Sequence, residues 1–402
     1  MKVHRVIAAA WLAVAFLAAA SAEAFAGAEY GWKGSSYVKD EEKGYEIKFG
    51  GRIFMDWTGV NADDELKSAY PNITDGTEFR NLRLFSEGKI YKIVEYKVQL
   101  DFLYETTALK DVWIGLLKVP VVGGIRVGQQ KEVFGLEELT SSKRITFMER
   151  ALTQAFVPGR NIGVLVGREL DNKKATVKAG VFRNSGDTVK YEGNKYNFTG
   201  RVTVAPVHDD DEGRLVHLGA AATYRAAEEN SAGTKVLRYR VRPDNHLSPY
   251  FVDTGSFEAE SAVHVGGEVA AVFGPASLQG EYMAVATDAP EVGDPGFSAF
   301  YVYGSYFITG EHRGYKAGEM DTPQPKSTFD GEGGWGAWEL AARFDMVDLS
   351  DADIEGGEEQ NITAGLNWYL NRYTRLMLNY VYADVEDVGA AHQLLARFQV
   401  EF

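Results

Sequence analysis

The chain has 402 residues and a formal net charge of −15 at pH 7, from 42 basic and 57 acidic side chains. This acidity argues against nucleic acid as a partner. The chain has no cysteine, which excludes disulfides, thiol catalysis and thiolate metal sites.

The first residues have the composition of a secretory signal. Lys2 and Arg5 precede an apolar run, and Ala24-Phe25-Ala26 supplies a cleavage site of small residues. This order is typical of a cleaved signal peptide rather than of a retained membrane anchor. We therefore predict a signal peptide at 1–26, an N-terminal segment at 27–44 and one domain at 45–402. No later segment has the roughly 18 consecutive apolar residues that a membrane-spanning helix needs.

From residue 45 onward, apolar and polar side chains alternate with a period of two. Val94, Tyr96 and Val98, for example, alternate with Glu95 and Lys97. Successive side chains of a β-strand point to opposite faces, so each such segment has one apolar and one polar face. Further segments of this kind are 45–60, 196–206 and 392–402.

The length of these segments favours a transmembrane antiparallel β-barrel. They are commonly about 9–14 residues long, as a tilted strand needs to cross a bilayer. The alternative is a secreted β-sandwich, but its strands are usually shorter, about 5–6 residues. We count about seventeen segments, and because a bacterial barrel needs an even number we predict sixteen strands. The surplus segment lies near 236–260 or 345–360.

The predicted connections differ in length, as in outer-membrane barrels with short turns on one side and long loops on the other. Tight turns are predicted at 274–275 and 370–374. The segment 139–160 departs from the alternation, and an insert of this length in a regular protein is usually functional or disordered. The predicted long loops are 61–76, 134–159, 184–195, 243–260 and 310–332.

Several longer sequence words resemble the phosphate-selective porin O and P family. They include "GLEELTSSKRITFMERAL" (135–152), "YFITGEHRGY" (306–315) and "NWYLNRYTRLMLNYV" (367–381), which occur in the family's order. The resemblance covers almost all of 45–402. It implies a sixteen-stranded porin of the bacterial outer membrane, a homotrimer, whose third extracellular loop (134–159) folds inward and constricts the pore.

The alternation and the resemblance each predict pore-lining residues. Arg238, Arg240 and Arg242 fall on one face of a predicted strand, about 6–7 Å apart, as stepping stones for an anion or as a solvated rim. Arginine suits phosphate because its planar fork donates two parallel hydrogen bonds. Other basic residues fall on the polar face of an alternating segment: Lys48, Arg52, Arg83, Lys97, Arg126, Arg201, Arg343, Arg375 and Arg397. By resemblance, the inward loop and the strands facing it contribute Ser142, Lys143, Arg150, Arg52 and Arg80.

Two positions depart from the pattern of the phosphate-selective members. Glu138 stands where those members have a lysine at the centre of the constriction, and Arg80 is followed by Asn81 rather than by a second arginine. A carboxylate at the constriction would repel anions or be paired with a neighbouring arginine. Glu138 is therefore the predicted pore-lining residue on which selectivity depends.

The sequence predicts a channel rather than an enzyme. The 7 histidines are scattered, and the catalytic motifs of metalloproteases, serine hydrolases and phosphate-loop proteins are absent. His217 and His264 leave open a hydrolase embedded in the barrel. The acidic runs at 208–213 and 348–359 lack the spacing of a 12-residue calcium loop, so no metal or cofactor is expected.

The sequence thus predicts a passive outer-membrane porin for small inorganic anions, phosphate and related oxyanions among them. The alternative is a general, weakly selective or cation-preferring diffusion porin, which Glu138 and the net acidity favour. Outer-membrane lipid and lipopolysaccharide are the other expected partners, since acidic turns at the surface can hold bridging cations.

Overall fold

The computed structural model describes residues 28–103, 107–170, 174–186 and 193–402. The predicted signal peptide at 1–26 lies outside the described residues. Sixteen antiparallel strands form one closed barrel, as predicted. The described part of the chain contains no helix long and apolar enough to cross a membrane.

The barrel strands are long and follow one another around the wall. Each pairs with its neighbours in the sequence, and the last pairs with the first, from Glu401 beside Arg52 to Ala391 beside Ala62. In chain order they are β1 Tyr45–Ala62, β2 Gly76–Ile90, β3 Val94–Asp101, β4 Ala108–Val119, β5 Gly123–Lys131, β6 Arg160–Leu170, β7 Ala175–Arg183, β8 Asn197–Asp209, β9 Arg214–Ala226, β10 Ser261–Phe273, β11 Ala276–Asp288, β12 Gly296–Phe307, β13 Ala337–Asp351, β14 Ile354–Asn371, β15 Thr374–Val385 and β16 Gly389–Glu401.

The barrel wall has apolar side chains on its outer face and polar side chains on its inner face, the reverse of a water-soluble protein. On β14, Ile362 exposes 55% of its surface, whereas Asn361 and Thr363 expose 0% and 1%. The apolar phase therefore points outward and the polar phase points into the barrel. An outward apolar band is stable in lipid, and closure leaves no unpaired strand edge in the hydrocarbon.

A hairpin at the start of the described chain extends the sheet. Its strands Glu29–Trp32 and Ser36–Asp40 pair with each other. The second strand pairs with the beginning of β1, from Ser36 beside Phe49 to Asp40 beside Tyr45. Because β16 reaches only as far as Arg52, the hairpin covers the part of the β1 edge that β16 leaves unpaired.

The connections decide between two predicted positions of the surplus segment and correct one other prediction. The region 236–260 holds no barrel strand, so the surplus segment was there. The long connection 308–336 follows an even-numbered strand and therefore lies at the same barrel end as the turns 91–93 and 274–275. The expectation that all long loops share one side is wrong for 310–332. The physical reason is that successive connections of an antiparallel barrel alternate between its two ends. One extra strand in the predicted count therefore assigns every later connection to the wrong end.

Three connections contain most of the remaining structure, and we call them the β5–β6 loop (132–159), the β9–β10 loop (227–260) and the β12–β13 segment (308–336). Among the residues described, the α-helices are Asp64–Ala69 and Leu136–Leu139, and the 3-10 helices are Leu152–Phe156 and Pro290–Val292. The short strands are Glu228–Glu229, Lys235–Leu237, Arg240–Val241, Val252–Asp253, Phe257–Glu258, Gly314–Lys316 and Glu319–Asp321.

The largest apolar cluster of the described chain lies where two of these loops meet the wall. Phe134 and Phe156 of the β5–β6 loop pack with Tyr239 and Val252 of the β9–β10 loop and with Val285 of β11. Burying large apolar and aromatic side chains of two loops against one wall stabilises both by removing apolar area from water. The cluster therefore fixes the two loops relative to the barrel.

Candidate functional site

The β5–β6 loop contacts inward-facing side chains on widely separated strands. Arg52 of β1 donates a hydrogen bond to the Ser142 hydroxyl over 2.9 Å. Asn379 of β15 accepts one from the Met148 backbone N–H over 2.8 Å. β1 and β15 both pair with β16, whereas Glu281, which accepts hydrogen bonds from the Leu136 and Glu137 N–H groups, lies farther around the wall on β11. Bonds to these separate parts of the wall fix the loop in one place, because buried backbone groups need partners.

The loop enters this position through a short helix. The φ of Gly135 is +81°, a backbone conformation that favours glycine, and a Cβ there would come within 2.9 Å of Met283. The helix Leu136–Leu139 follows, and Glu281 of β11 accepts hydrogen bonds from the Leu136 and Glu137 N–H groups, both over 2.7 Å. A carboxylate at these free N–H groups satisfies the first turn.

Paired charges anchor the middle of the loop. The Arg80 guanidinium donates two hydrogen bonds to the Glu149 carboxylate, over 2.8 and 2.9 Å. Arg397 also donates to Glu149, over 2.8 Å, and forms a second fork with Asp56. Burial would raise the pKa of Glu149, but Arg80 and Arg397 outweigh it and hold that pKa well below its ordinary value.

Glu138 is buried between two cations. Its carboxylate lies 3.1 Å from the Lys131 ammonium and 3.2 Å from the Arg150 guanidinium. Arg150 also donates to the backbone oxygens of Glu137, Glu138 and Thr140. Burial would raise the pKa of Glu138, but Arg150 and Lys131 keep it below its ordinary value. The carboxylate is therefore ionised, and it cancels part of the charge of both neighbours.

Several basic residues on inward strand positions hold the loops. Arg343 of β13 pairs with Asp244 of the β9–β10 loop over 2.6 Å. Arg375 of β15 donates to the backbone oxygen of Ile145 over 2.9 Å. Both side chains are almost completely buried. On this half of the barrel the arginines therefore bind protein groups and not a solvent-filled passage.

An open cavity of about 350 Å³ lies on the other half of the barrel, along β1 to β7. Side chains from the β5–β6 loop and from the β12–β13 segment complete its wall. Eight basic and three acidic residues face it, and seven of the eight basic side chains pair with a carboxylate in the wall or just behind it. The basic residues are Arg52, Lys97, Arg126, Lys131, Lys143, Arg144, Arg160 and Lys178, and the acidic ones are Glu87, Asp111 and Glu319.

The family model described as "Phosphate-selective porin O and P" matches residues 47–402, which is almost the whole barrel. The chain belongs to this family. The predicted classification as a porin of the bacterial outer membrane is therefore confirmed, and porins are channels.

Two relatives of this porin are similar over most of its length. One, an uncharacterised protein of Caulobacter vibrioides, is 31% identical over 370 residues, 89% of this chain and 72% of the relative. The other, Porin O of Pseudomonas aeruginosa, is 27% identical over 429 residues, 94% of each chain. Among solved structures, the trimer form of OmpT, an outer membrane protein of Vibrio cholerae, matches with a TM-score of 0.54. It is 13% identical and covers 88% of this chain and 99% of its own, so it shows the shared fold.

The structure of this porin separates the predicted site residues into two groups. Arg52, Arg126 and Lys143 face the cavity, although Arg126 also pairs with Glu95 over 2.8 Å and Lys143 with Glu401. The others bind neighbouring protein groups: Arg80 with Glu149, Arg83 with Asp101 over 2.6 Å, Ser142 with Arg52, and Glu138 with Arg150.

Arg238, Arg240 and Arg242 lie in the β9–β10 loop, and the prediction that they share one face of a barrel strand is wrong. Arg238 pairs with Asp253, and both Arg240 and Arg242 lie over the Tyr250 ring, about 4 Å from its centre. Local alternation was present, but alternation is also compatible with the short paired strands of a loop.

Lys178 and Glu319 were missed. Lys178 follows the inward phase of β7, since Thr176 is buried and Val177 is exposed, so alternation could have found it. Glu319 carries no local signal, because the β12–β13 segment brings it to the cavity from a distant part of the chain.

The inward-facing histidines have partners other than serine. His217 forms a hydrogen bond with the Tyr315 hydroxyl over 2.8 Å, and His264 forms one with the Tyr239 hydroxyl over 3.0 Å. Within the residues that the structure describes, no group of three or more His, Asp or Glu side chains could hold a metal ion.

Proposed function

We propose that this porin lets small anions, phosphate and related oxyanions among them, diffuse passively through a basic-lined, water-filled pore along β1 to β7. The observation that carries the proposal is the lining of the 350 Å³ cavity, where eight basic side chains and only three acidic ones face the open space. A net positive wall lowers the electrostatic energy of an anion and raises that of a cation. Several moderate sites in series let an ion enter and leave, where one deep site would trap it.

The site residues have different roles in this proposal. Arg52, Arg126 and Lys143 contact the ion, because each faces the cavity. Residues 134–159 of the β5–β6 loop constrict the pore, and the contacts that support this role are those of Arg80, Glu138, Ser142 and Arg150. Arg83, paired with Asp101 on the neighbouring strand, belongs to the wall beside the loop.

The β9–β10 loop contributes an entrance in this proposal. Arg240 exposes 42% of its side chain and Arg238 exposes 44%, while Arg242 stacks beside Arg240 on Tyr250. Three guanidinium groups at the mouth would draw anions toward the pore by long-range attraction.

We also infer a homotrimer in the outer membrane, as the trimer form of the structurally similar OmpT supports, with export directed by a signal peptide at 1–26. Lipid and lipopolysaccharide would surround its apolar outer face.

A general, weakly selective or cation-preferring porin is the second candidate. It is favoured by Glu138, which cancels part of the charge of Lys131 and Arg150, and by the three carboxylates of the cavity wall. An anion-selective pore and a cation-preferring pore give reversal potentials of opposite sign in a salt gradient.

Planar-bilayer recording of the purified protein under a potassium chloride gradient tests the proposal. The proposed function requires a reversal potential of the anion-selective sign and a block of the chloride current by added inorganic phosphate. A reversal potential of the cation-selective sign would overturn it in favour of the second candidate. A reversal potential near zero, without phosphate block, would indicate a pore without selectivity.

A further inference from the structure

The β12–β13 segment reaches the cavity as a small, well-anchored hairpin. Its strands Gly314–Lys316 and Glu319–Asp321 pair with each other, and the turn passes through Gly318, whose φ of +90° favours glycine. The Gly318 backbone oxygen accepts a hydrogen bond from Arg201 of β8 over 2.7 Å.

Besides this bond from Arg201, buried side chains and one separate ion pair hold the hairpin in place. Tyr315 and Met320 are buried, and Tyr315 forms its hydrogen bond with His217. Just before the hairpin, Arg313 pairs with Glu339 of β13 over 2.7 Å, and both side chains are buried. These anchors do not involve the carboxylates of the hairpin.

The two carboxylates of the second hairpin strand point to cations of the pore wall. Asp321 lies 3.0 Å from the Arg144 guanidinium of the β5–β6 loop. Glu319 lies 3.8 Å from the Lys178 ammonium of β7 and itself faces the cavity. The side chains of Asp321 and Glu319 are 23% and 41% exposed, so solvent and a passing ion can reach both pairs.

We propose that Glu319 and Asp321 are internal competitors of the transported anion, and that they set how tightly the pore holds it. The Asp321 carboxylate occupies a position that an oxyanion would take on Arg144. The Glu319 carboxylate, 3.8 Å from the Lys178 ammonium, competes there through its charge. An incoming anion must exchange with a tethered carboxylate, which weakens its binding and shortens its stay. Weak binding is what conduction needs, because an ion held too tightly blocks those that follow. This inference rests on the proposed anion transport.

The test compares the wild-type porin with Glu319→Gln, Asp321→Asn and the double variant in planar bilayers. The readout is the inorganic phosphate concentration that halves the chloride current. Removing one unit charge at about 4 Å in a water-like medium corresponds to a roughly fivefold change in binding. We expect each single variant to need roughly fivefold less phosphate for half-block, and the double variant less again. The variants should also conduct less when phosphate is the only anion.

Two further variants separate charge from structure. Glu332→Gln removes the same charge from an exposed position of the same segment and should behave as wild type. Glu319→Asp keeps the carboxylate and should retain most of the wild-type phosphate response. Unchanged phosphate block in the double variant, or equal changes in Glu332→Gln, would overturn the inference. A cation-selective wild type would instead show that the proposed function itself is wrong.

Discussion

The Lys131 ammonium lies 3.1 Å from the Glu138 carboxylate, at the edge of the basic cavity. Lys131 faces the cavity, so this pairing removes charge from the pore without removing a basic residue. Glu138 is thereby a counter-ion of basic side chains beside the cavity, which is the second of the two alternatives that its position in the sequence left open, repulsion of anions or pairing with a neighbouring arginine.

Glu138→Gln should make the pore more anion-selective, because Lys131 and Arg150 lose their shared counter-ion. We expect the ratio of anion to cation permeability to rise by roughly twofold to fivefold. Glu138→Lys should shift it further. The measurement is the reversal potential in a salt gradient. Glu386→Gln, at an exposed position of the β15–β16 turn, is the matched control. An unchanged ratio in Glu138→Lys would remove residue 138 from the constriction.

Arg80→Ala should loosen the β5–β6 loop, because Glu149 keeps only Arg397 as a partner. We expect a loss of about 2–3 kcal/mol, less than for a fully buried pair because Arg80 is 23% exposed. Arg80→Lys keeps the charge but loses the two-bond fork and should cost less. Single-channel recordings should show current flicker in Arg80→Ala and less in Arg80→Lys. Quiet channels in both variants would contradict an anchoring role.

Acid should weaken the docking of the same loop. The pKa values of Glu149 and Glu138 are lower when the loop is docked than their ordinary value of 4.5. At Glu149 and Glu138 the docked loop then binds fewer protons than the released loop. Its stability is therefore complete above about pH 4.5 and is lost as the pH falls below that value. Current flicker should increase at about pH 3 and not between about pH 5 and pH 8. Equal flicker throughout would show that these carboxylates do not hold the loop.

Alkaline pH should reduce anion selectivity through Lys143. Burial lowers the pKa of this lysine below its ordinary value of 10.5, although Glu401 opposes the change. A lysine carries its charge below its pKa, so Lys143 becomes neutral as the pH rises through the lowered value. Anion selectivity should fall before the pH reaches 10.5, as the reversal potential will show. Lys143→Arg should keep its charge and make this fall smaller. The same fall in Lys143→Arg would assign the effect to another group.

The three arginines of the β9–β10 loop should matter mainly at low salt. Changing Arg238, Arg240 and Arg242 to glutamine should lower anion conductance at about 0.01 M salt, where charges act over roughly 30 Å, and leave it nearly unchanged at about 1 M, where they act over roughly 3 Å. Asp253→Asn removes the partner of Arg238 and should change the low-salt conductance in the opposite direction. Equal losses at both salt concentrations would place the arginines inside the pore.

The sequence by itself determined the barrel. Alternation is a local property of the strand pleat, so it identifies each wall segment and its outward face without knowledge of the rest of the chain. The polar phase of β1 thus pointed to Arg52, and that of β5 to Arg126. Only the number of strands was uncertain, because the β9–β10 loop contains short alternating stretches of its own.

Only the tertiary structure decided which cations face an open passage. Arg343 and Arg375 follow the same inward phase as Arg52, yet they bind Asp244 and the Ile145 carbonyl in a filled half of the barrel. Glu319 reaches Lys178 from the β12–β13 segment, which is distant from β7 in the sequence. Inward direction is set by neighbouring residues, whereas pairing depends on the position of loops that fold back from distant parts of the sequence. The local sequence pattern was therefore enough to predict the fold. It was not enough to predict which charged side chains are paired around the cavity.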